Sequence, residues 1–246
     1  MIQSMRKDSW REYDSLFDAL GLKADHREII SLTGGGGKTT VIRRLQKECM
    51  ERRIFHGVST TTHMQYEKNE SFLGSPSLES FLKIYKKTGT VWMGEPVSEL
   101  KMKGFPNVFY EQIVKTGAWL LLEADGARCL PVKVPAAHEP VILPETTMVC
   151  NVYGLDAPGR TIEEICFRSQ LAAQILGKKE TDLLEERDLV FLAASMQGGK
   201  KQVEDREYHV ILNKADTQER RKSARKIGHA LKKLGIKHVH MTADLL

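Results

Sequence analysis

The sequence predicts an α/β fold, a doubly wound and mostly parallel sheet, and three observations predict it. Apolar segments of strand length alternate with helix-patterned segments along the 246 residues. Four consecutive glycines, Gly34, Gly35, Gly36 and Gly37, join the apolar segment 29–32 to a helix-like stretch beginning near Val41. Residues 118–122 (Ala-Trp-Leu-Leu-Leu) are apolar without alternation, the pattern of a strand buried on both faces of a parallel sheet.

Taken in order, residues 1–27 read as an N-terminal helical extension, because Trp10, Tyr13, Leu16, Phe17 and Leu20 recur at helical spacing before Gly21. Residues 28–246 read as one nucleotide-binding domain with insertions. A helix follows the glycines to about Arg52, then a strand over 54–58 that ends in the hydroxyl-rich run Ser59-Thr60-Thr61-Thr62. Helices are expected over 78–86 and 108–115, with a strand over 90–93 between them. After the apolar strand comes a proline-spaced segment, 131–144, too irregular for a helix. A strand over 148–152, a helix over 162–176, a helix or strand over 188–195 with helix preferred, a strand over 209–212, a helix over 217–234 and a short strand over 238–241 complete the alternation.

Composition bounds the function. A net charge of +5 is mild, and the basic residues near the end, Arg220 to Lys237, fit the solvated face of a helix. No interleaving of aromatic and basic residues accompanies them, so a nucleic-acid partner is not expected. No apolar run is long enough to span a bilayer, and residues 1–10 lack the apolar core of a signal peptide, so a cytoplasmic protein without membrane association is expected. Cys49, Cys129, Cys150 and Cys166 include no C-x-x-C pair, which argues against a zinc or disulfide framework.

The run Thr33-Gly34-Gly35-Gly36-Gly37-Lys38-Thr39-Thr40 has the character of a phosphate-binding loop, and with it the expected fold becomes P-loop NTPase-like. Glycines take positive φ and carry no Cβ, so backbone N–H groups can curl around a polyphosphate at a helix N-terminus. Lys38 would reach the β and γ phosphates and the Thr39 hydroxyl would ligate Mg²⁺. Two departures mark the loop: Leu32 stands where the common pattern has its first glycine, and Thr33 where one branch of the variant loops has a second lysine.

Other strand ends add to it. Glu123-Ala124-Asp125-Gly126 follows the apolar strand, where an acid can hold Mg²⁺ and a glycine N–H can face the γ phosphate. Asn213-Lys214-Ala215-Asp216 follows the strand over 209–212 and matches the guanine-reading pattern N-K-x-D, in which Asp216 accepts from the guanine edge. Among the threonines, Thr61 is a candidate Mg²⁺ ligand and His63 a candidate to orient water; a helix cap is the alternative for the hydroxyls. Lys133, His138 and Glu139, in the proline-braced segment, are candidate substrate contacts.

Together, the glycine loop, Ser59-Thr60-Thr61-Thr62-His63, Glu123-Ala124-Asp125-Gly126 with Pro131-Val132-Lys133 and His138-Glu139-Pro140, and Asn213-Lys214-Ala215-Asp216 resemble the YqeC family. That resemblance spans roughly residues 29–216. It implies an accessory protein for a selenium-dependent molybdenum hydroxylase, acting on the enzyme or on a selenium cofactor intermediate. Combined with the residues, it implies a slow NTPase using Mg²⁺ and GTP or ATP, with GTP favoured. Lys38 and Glu123 would carry catalysis, with Asp125 or His63 orienting water. Two other readings stay open: a kinase or ligase acting on a small molecule, and a nucleotide switch without catalysis. Cys129, beside the acidic motif, has no assigned role.

Overall fold

In a computed structural model the protein is described over residues 1–7 and 9–243. It is the α/β class expected, a large and mostly parallel sheet flanked by helices, consistent with a P-loop NTPase-like fold. The chain runs β1 (Ile2–Arg6), β2 (Ser9–Tyr13), α1 (Leu16–Leu20), β3 (Ile29–Gly34), α2 (Lys38–Glu51), β4 (His56–Thr60), β5 (His63–Gln65), β6 (Phe72–Leu73) and α3 (Leu78–Thr88). It continues through β7 (Val91–Met93), β8 (Glu95–Pro96), β9 (Lys101–Lys103), α4 (Asn107–Lys115), β10 (Trp119–Glu123), β11 (Val132–Lys133) and β12 (Met148–Gly154). The last elements are α5 (Ile162–Ile165), β13 (Cys166–Phe167), α6 (Ser169–Leu176), α7 (Glu186–Ala194), β14 (Glu207–Asn213), α8 (Gln218–Lys233) and β15 (His238–Thr242).

The main sheet has the order β2-β1-β15-β14-β12-β3-β10-β4-β7-β6. From β15 to β6 all neighbours are parallel; β1 and β2 join antiparallel at one edge. Alternation along the central strands divides the core. Ile30, Leu32 and Leu121 pack beneath α1 and α2, while Ile29, Leu120 and Leu122 face Phe81 of α3 and Tyr110 of α4. Val210 and Leu212 meet Leu189 of α7 and Ile227 of α8 on that second face. Among the described residues no helix is long and apolar enough to cross a membrane.

Two expected elements differ. The helix expected over the N-terminal extension is mostly strand: β1 pairs with β15 from Ile2↔Thr242 to Ser4↔His240, and β2 pairs with β1. The open edge of a parallel sheet offers unpaired backbone donors and acceptors, and that demand overrides the helical spacing of Trp10 and Tyr13. Only Leu16, Phe17 and Leu20 keep it, in α1, which Gly21 ends at φ 78°. The helix expected over 162–176 is broken after Ile165. Cys166 and Phe167 pair in parallel with Val132 and Lys133, and Arg168 turns through φ 68° before α6. That break brings Arg168 beside the proline-braced segment. A smaller difference is β4, which runs two residues later than expected because Ser59 and Thr60 still pair with Leu122 and Glu123.

Candidate functional site

Parallel strands end at one edge, so the motifs that close β3, β10, β4 and β14 converge there. The glycine loop lies at the centre of that edge. Gly34, Gly36 and Gly37 have φ of 89°, 69° and 100°. The amides of Gly34, Gly35 and Gly36 are engaged inside the protein, donating to Asp125 Oδ2 at 3.1 Å, Val152 O at 3.0 Å and Leu130 O at 3.0 Å. The expectation that backbone N–H groups of the loop curl around a polyphosphate therefore does not extend to these three amides. The uncapped donors are those of the first turn of α2, from Lys38 on, which begins at Gly37 with no side-chain cap.

Lys38 is buried between two acids. Its Nζ lies 3.1 Å from Asp125 Oδ1 and 3.8 Å from Glu123 Oε1, and it donates to Gly34 O at 2.5 Å. Thr39 donates its hydroxyl to Glu123 Oε2 at 2.9 Å. From Asp125 the charges continue: Lys133 Nζ lies 3.4 Å from Asp125 and 2.9 Å from Glu139, and Arg168 Nη1 lies 2.5 Å from Glu139. Lys38, Asp125, Lys133, Glu139 and Arg168 thus form one chain of alternating charge, running from the glycine loop to the Phe167 ring, over which Arg128 and Arg168 both stack. Arg168 was not among the residues singled out in the sequence.

Burial and pairing compete along this chain. For Lys38, burial lowers the ammonium's pKa, but Asp125 and Glu123 outweigh it and hold the group above its ordinary value. Burial wins at Glu123, lifting the carboxyl against Lys38 and Thr39, and at Lys133, whose pKa falls despite Asp125 and Glu139. Glu139 goes the other way: burial raises it, yet Lys133 and Arg168 together hold it below its ordinary value of 4.5. Its contribution to stability is then complete above 4.5 and is lost as pH falls through the lower folded value. The difference in urea midpoint between wild type and Glu139→Gln is accordingly expected to be largest near neutral pH and to shrink below 4.5; a difference independent of pH would mean that Glu139 carries no paired charge.

The remaining expected residues are placed unequally. Thr33 is buried and accepts from Asn151 Nδ2 at 2.8 Å. Thr40, half-buried, lies in the first turn of α2. Asn213 Nδ2 donates to Gly36 O at 2.8 Å, tying the N-K-x-D segment to the glycine loop. Lys214 pairs with Asp156 at 2.6 Å, and Asp216 is exposed, with Arg220 3.5 Å away. The end of β15 backs this segment, since Thr242 O accepts from Ala215 N and Thr242 Oγ1 donates to Asn213 Oδ1.

Three residues stand apart. Thr61 spends its hydroxyl on Val141 O at 2.6 Å and has no contact with Thr39; the hydroxyl turned toward the acidic strand is that of Thr60, which donates to Glu123 O at 2.7 Å. His63 opens β5 in the separate three-stranded sheet and is exposed. His138 is exposed while its neighbour Glu139 is buried, so the two do not act as a pair. Lys133 and Glu139 are spent on one another and on Asp125 and Arg168, which removes them as open substrate contacts. Cys129 is exposed at φ 61°.

Comparison with known proteins adds two findings. A family model described as "YqeC protein" matches residues 30–170, more than half of the chain and a span that holds Lys38, Glu123, Asp125, Lys133, Glu139 and Arg168. The chain is also 28% identical over 183 residues to the uncharacterized protein YqeC of Escherichia coli (strain K12), an alignment covering 71% of each.

Proposed function

The chain belongs to the YqeC family, and from that premise we propose that it is a Mg²⁺-dependent nucleotide-binding protein, a slow GTPase rather than an ATPase. It acts, in this reading, in the cytoplasm as an accessory protein in maturing a selenium-dependent molybdenum hydroxylase or its cofactor. The client is carried over from the family resemblance, whereas the nucleotide chemistry rests on the site.

The observation that carries the nucleotide reading is the contact of Thr39 with Glu123 beside Lys38. A hydroxyl and a carboxylate oxygen 2.9 Å apart have the spacing of two adjacent ligands around an ion with bonds of about 2.1 Å. Thr39 and Glu123 would hold Mg²⁺, which when bound neutralises phosphate charge. Lys38 would leave Asp125 to meet the β and γ phosphates, and the first-turn amides of α2 would donate to them. Asp216, exposed and only loosely held by Arg220, can accept from the two N–H groups of a guanine edge.

The ion chain favours a second reading, a nucleotide switch. Drawing Lys38 away from Asp125 changes the partner balance of Lys133, Glu139 and Arg168 in turn, so occupancy of the loop would be felt at the Phe167 surface. Calorimetry with Mg²⁺ and either GTP or ATP tests both. GTP is expected to bind; Lys38→Ala should lose it, and Asp216→Ala should weaken GTP at least tenfold while leaving ATP unchanged. If neither nucleotide binds wild type, both readings end. Binding without phosphate release leaves the switch.

A further inference from the structure

A second cluster of reactive side chains lies on the face of the sheet that α1 covers. Glu207 opens β14, His209 follows two residues later on the same face, and His238, which opens β15, is the register partner of His209. Glu207 Oε1 lies 2.9 Å from His209 Nε2 and 3.4 Å from His238 Nε2, and the ligand atoms of the three lie within 4.8 Å of one another. Asn213, at the other end of β14, is the residue that meets the glycine loop. Four residues of strand, about 13 Å, separate it from His209.

We propose that Glu207, His209 and His238 form a binding site for a divalent transition metal of the Zn²⁺ class, with solvent as the fourth ligand on the exposed Glu207 side. The donor set is two imidazole nitrogens and one carboxylate oxygen, which suits Zn²⁺ and not the oxygen-seeking Mg²⁺ or Ca²⁺. Bonds of 2.0–2.2 Å in a tetrahedral site put ligand atoms about 3.3 Å apart, close to the two separations observed. The rings of His209 and His238 are stacked, with centroids 4.4 Å apart, and both present Nε2 toward Glu207; a rotation of the half-buried His238 ring out of the stack would aim the two lone pairs at one ion.

A hydrogen-bonded relay behind His209 supplies the orienting shell such a ligand requires. His209 Nδ1 lies 2.9 Å from His240 Nε2, and His240 Nδ1 lies 2.7 Å from Ser4 Oγ, which in turn lies 3.1 Å from Ala19 O. With the protons running inward, His209 Nδ1–H donates to His240, His240 Nδ1–H donates to Ser4, and the Ser4 hydroxyl donates to Ala19 O. Every link is then satisfied, and His209 Nε2 presents a lone pair to the site. The opposite direction puts the proton on Nε2 against Glu207, so metal binding selects one of two arrangements that the relay already permits.

The test uses the full chain, stripped with chelator, dialysed and titrated with ZnCl2 by calorimetry. One equivalent is expected to bind and to raise the melting temperature. His238→Ala and Glu207→Gln, at half-buried and exposed positions, should each weaken binding at least tenfold and remove the thermal shift. Lys38→Ala should leave the zinc isotherm unchanged. Absence of a saturable one-equivalent event, or an isotherm that neither His238→Ala nor Glu207→Gln alters, would overturn the proposal. Because the readout is metal binding with no nucleotide present, its failure leaves the nucleotide reading untouched.

Discussion

Replacing Gly36 with alanine is expected to destabilise the protein by on the order of 3–5 kcal/mol and to abolish the Mg-GTP binding proposed above, whereas Gly126→Ala should stay within about 0.5 kcal/mol of wild type. Both glycines belong to motifs, so the contrast comes from geometry. A Cβ at Gly36 would lie 2.2 Å from Gly154 N and 2.5 Å from Tyr153 C, both backbone atoms of β12 that no rotamer change can move. Its φ of 69° adds the left-handed strain that side chains resist. The loop and β12 would have to separate, breaking Gly35 N–H to Val152 O, which fixes the loop's path. At Gly126 nothing lies within 4 Å of the added Cβ. Urea unfolding and GTP calorimetry on both variants check this; equal losses would show that a shared property of glycine in the motifs, and not contact with β12, sets the requirement.

The difference between these glycines marks where sequence reasoning reaches its range. That Thr39, Lys38 and Glu123 lie together was legible because their positions follow from short-range order: a strand, a flexible turn, a helix, and an acid at the end of the neighbouring strand. Asn213 was legible as a motif, but its bond to Gly36 O, 177 residues away in sequence, needed the strand order β14-β12-β3. Arg168 could not be read at all. It reaches Glu139 only because β13 interrupts an otherwise helical pattern to pair with β11. Two misreadings share one cause. Neighbours in sequence do not always share surroundings: His138, exposed in a turn, was grouped with the buried Glu139, and Thr61 was chosen from the threonine run although it is Thr60, the last residue of β4, whose hydroxyl reaches the acidic strand. The N-terminal helix failed for a different reason, since an open sheet edge outweighs local spacing.

The second large effect is expected at Asp125, the only acid that touches both Lys38 and Lys133 among the described residues. Asp125→Ala should cost about 3–5 kcal/mol, the usual result of removing one partner from a buried ion pair. The variant loses the acceptor for Gly34 N–H as well as the charge. The two lysines would not be equally affected. Lys38 keeps Glu123 at 3.8 Å and the Gly34 carbonyl, while Lys133 keeps Glu139 at 2.9 Å and the Gly126 carbonyl at 2.6 Å. Burial already depresses Lys133, so with Asp125 gone it is the lysine that loses its proton more readily. Asp125→Asn, which can still accept from Gly34, should recover part of the loss. A double-mutant cycle of Asp125→Ala with Lys133→Met is therefore expected to give a coupling energy of about 1–3 kcal/mol. Additive losses in urea unfolding would mean that the two side chains act independently, and the path from the glycine loop to Arg168 would then be broken at its second link.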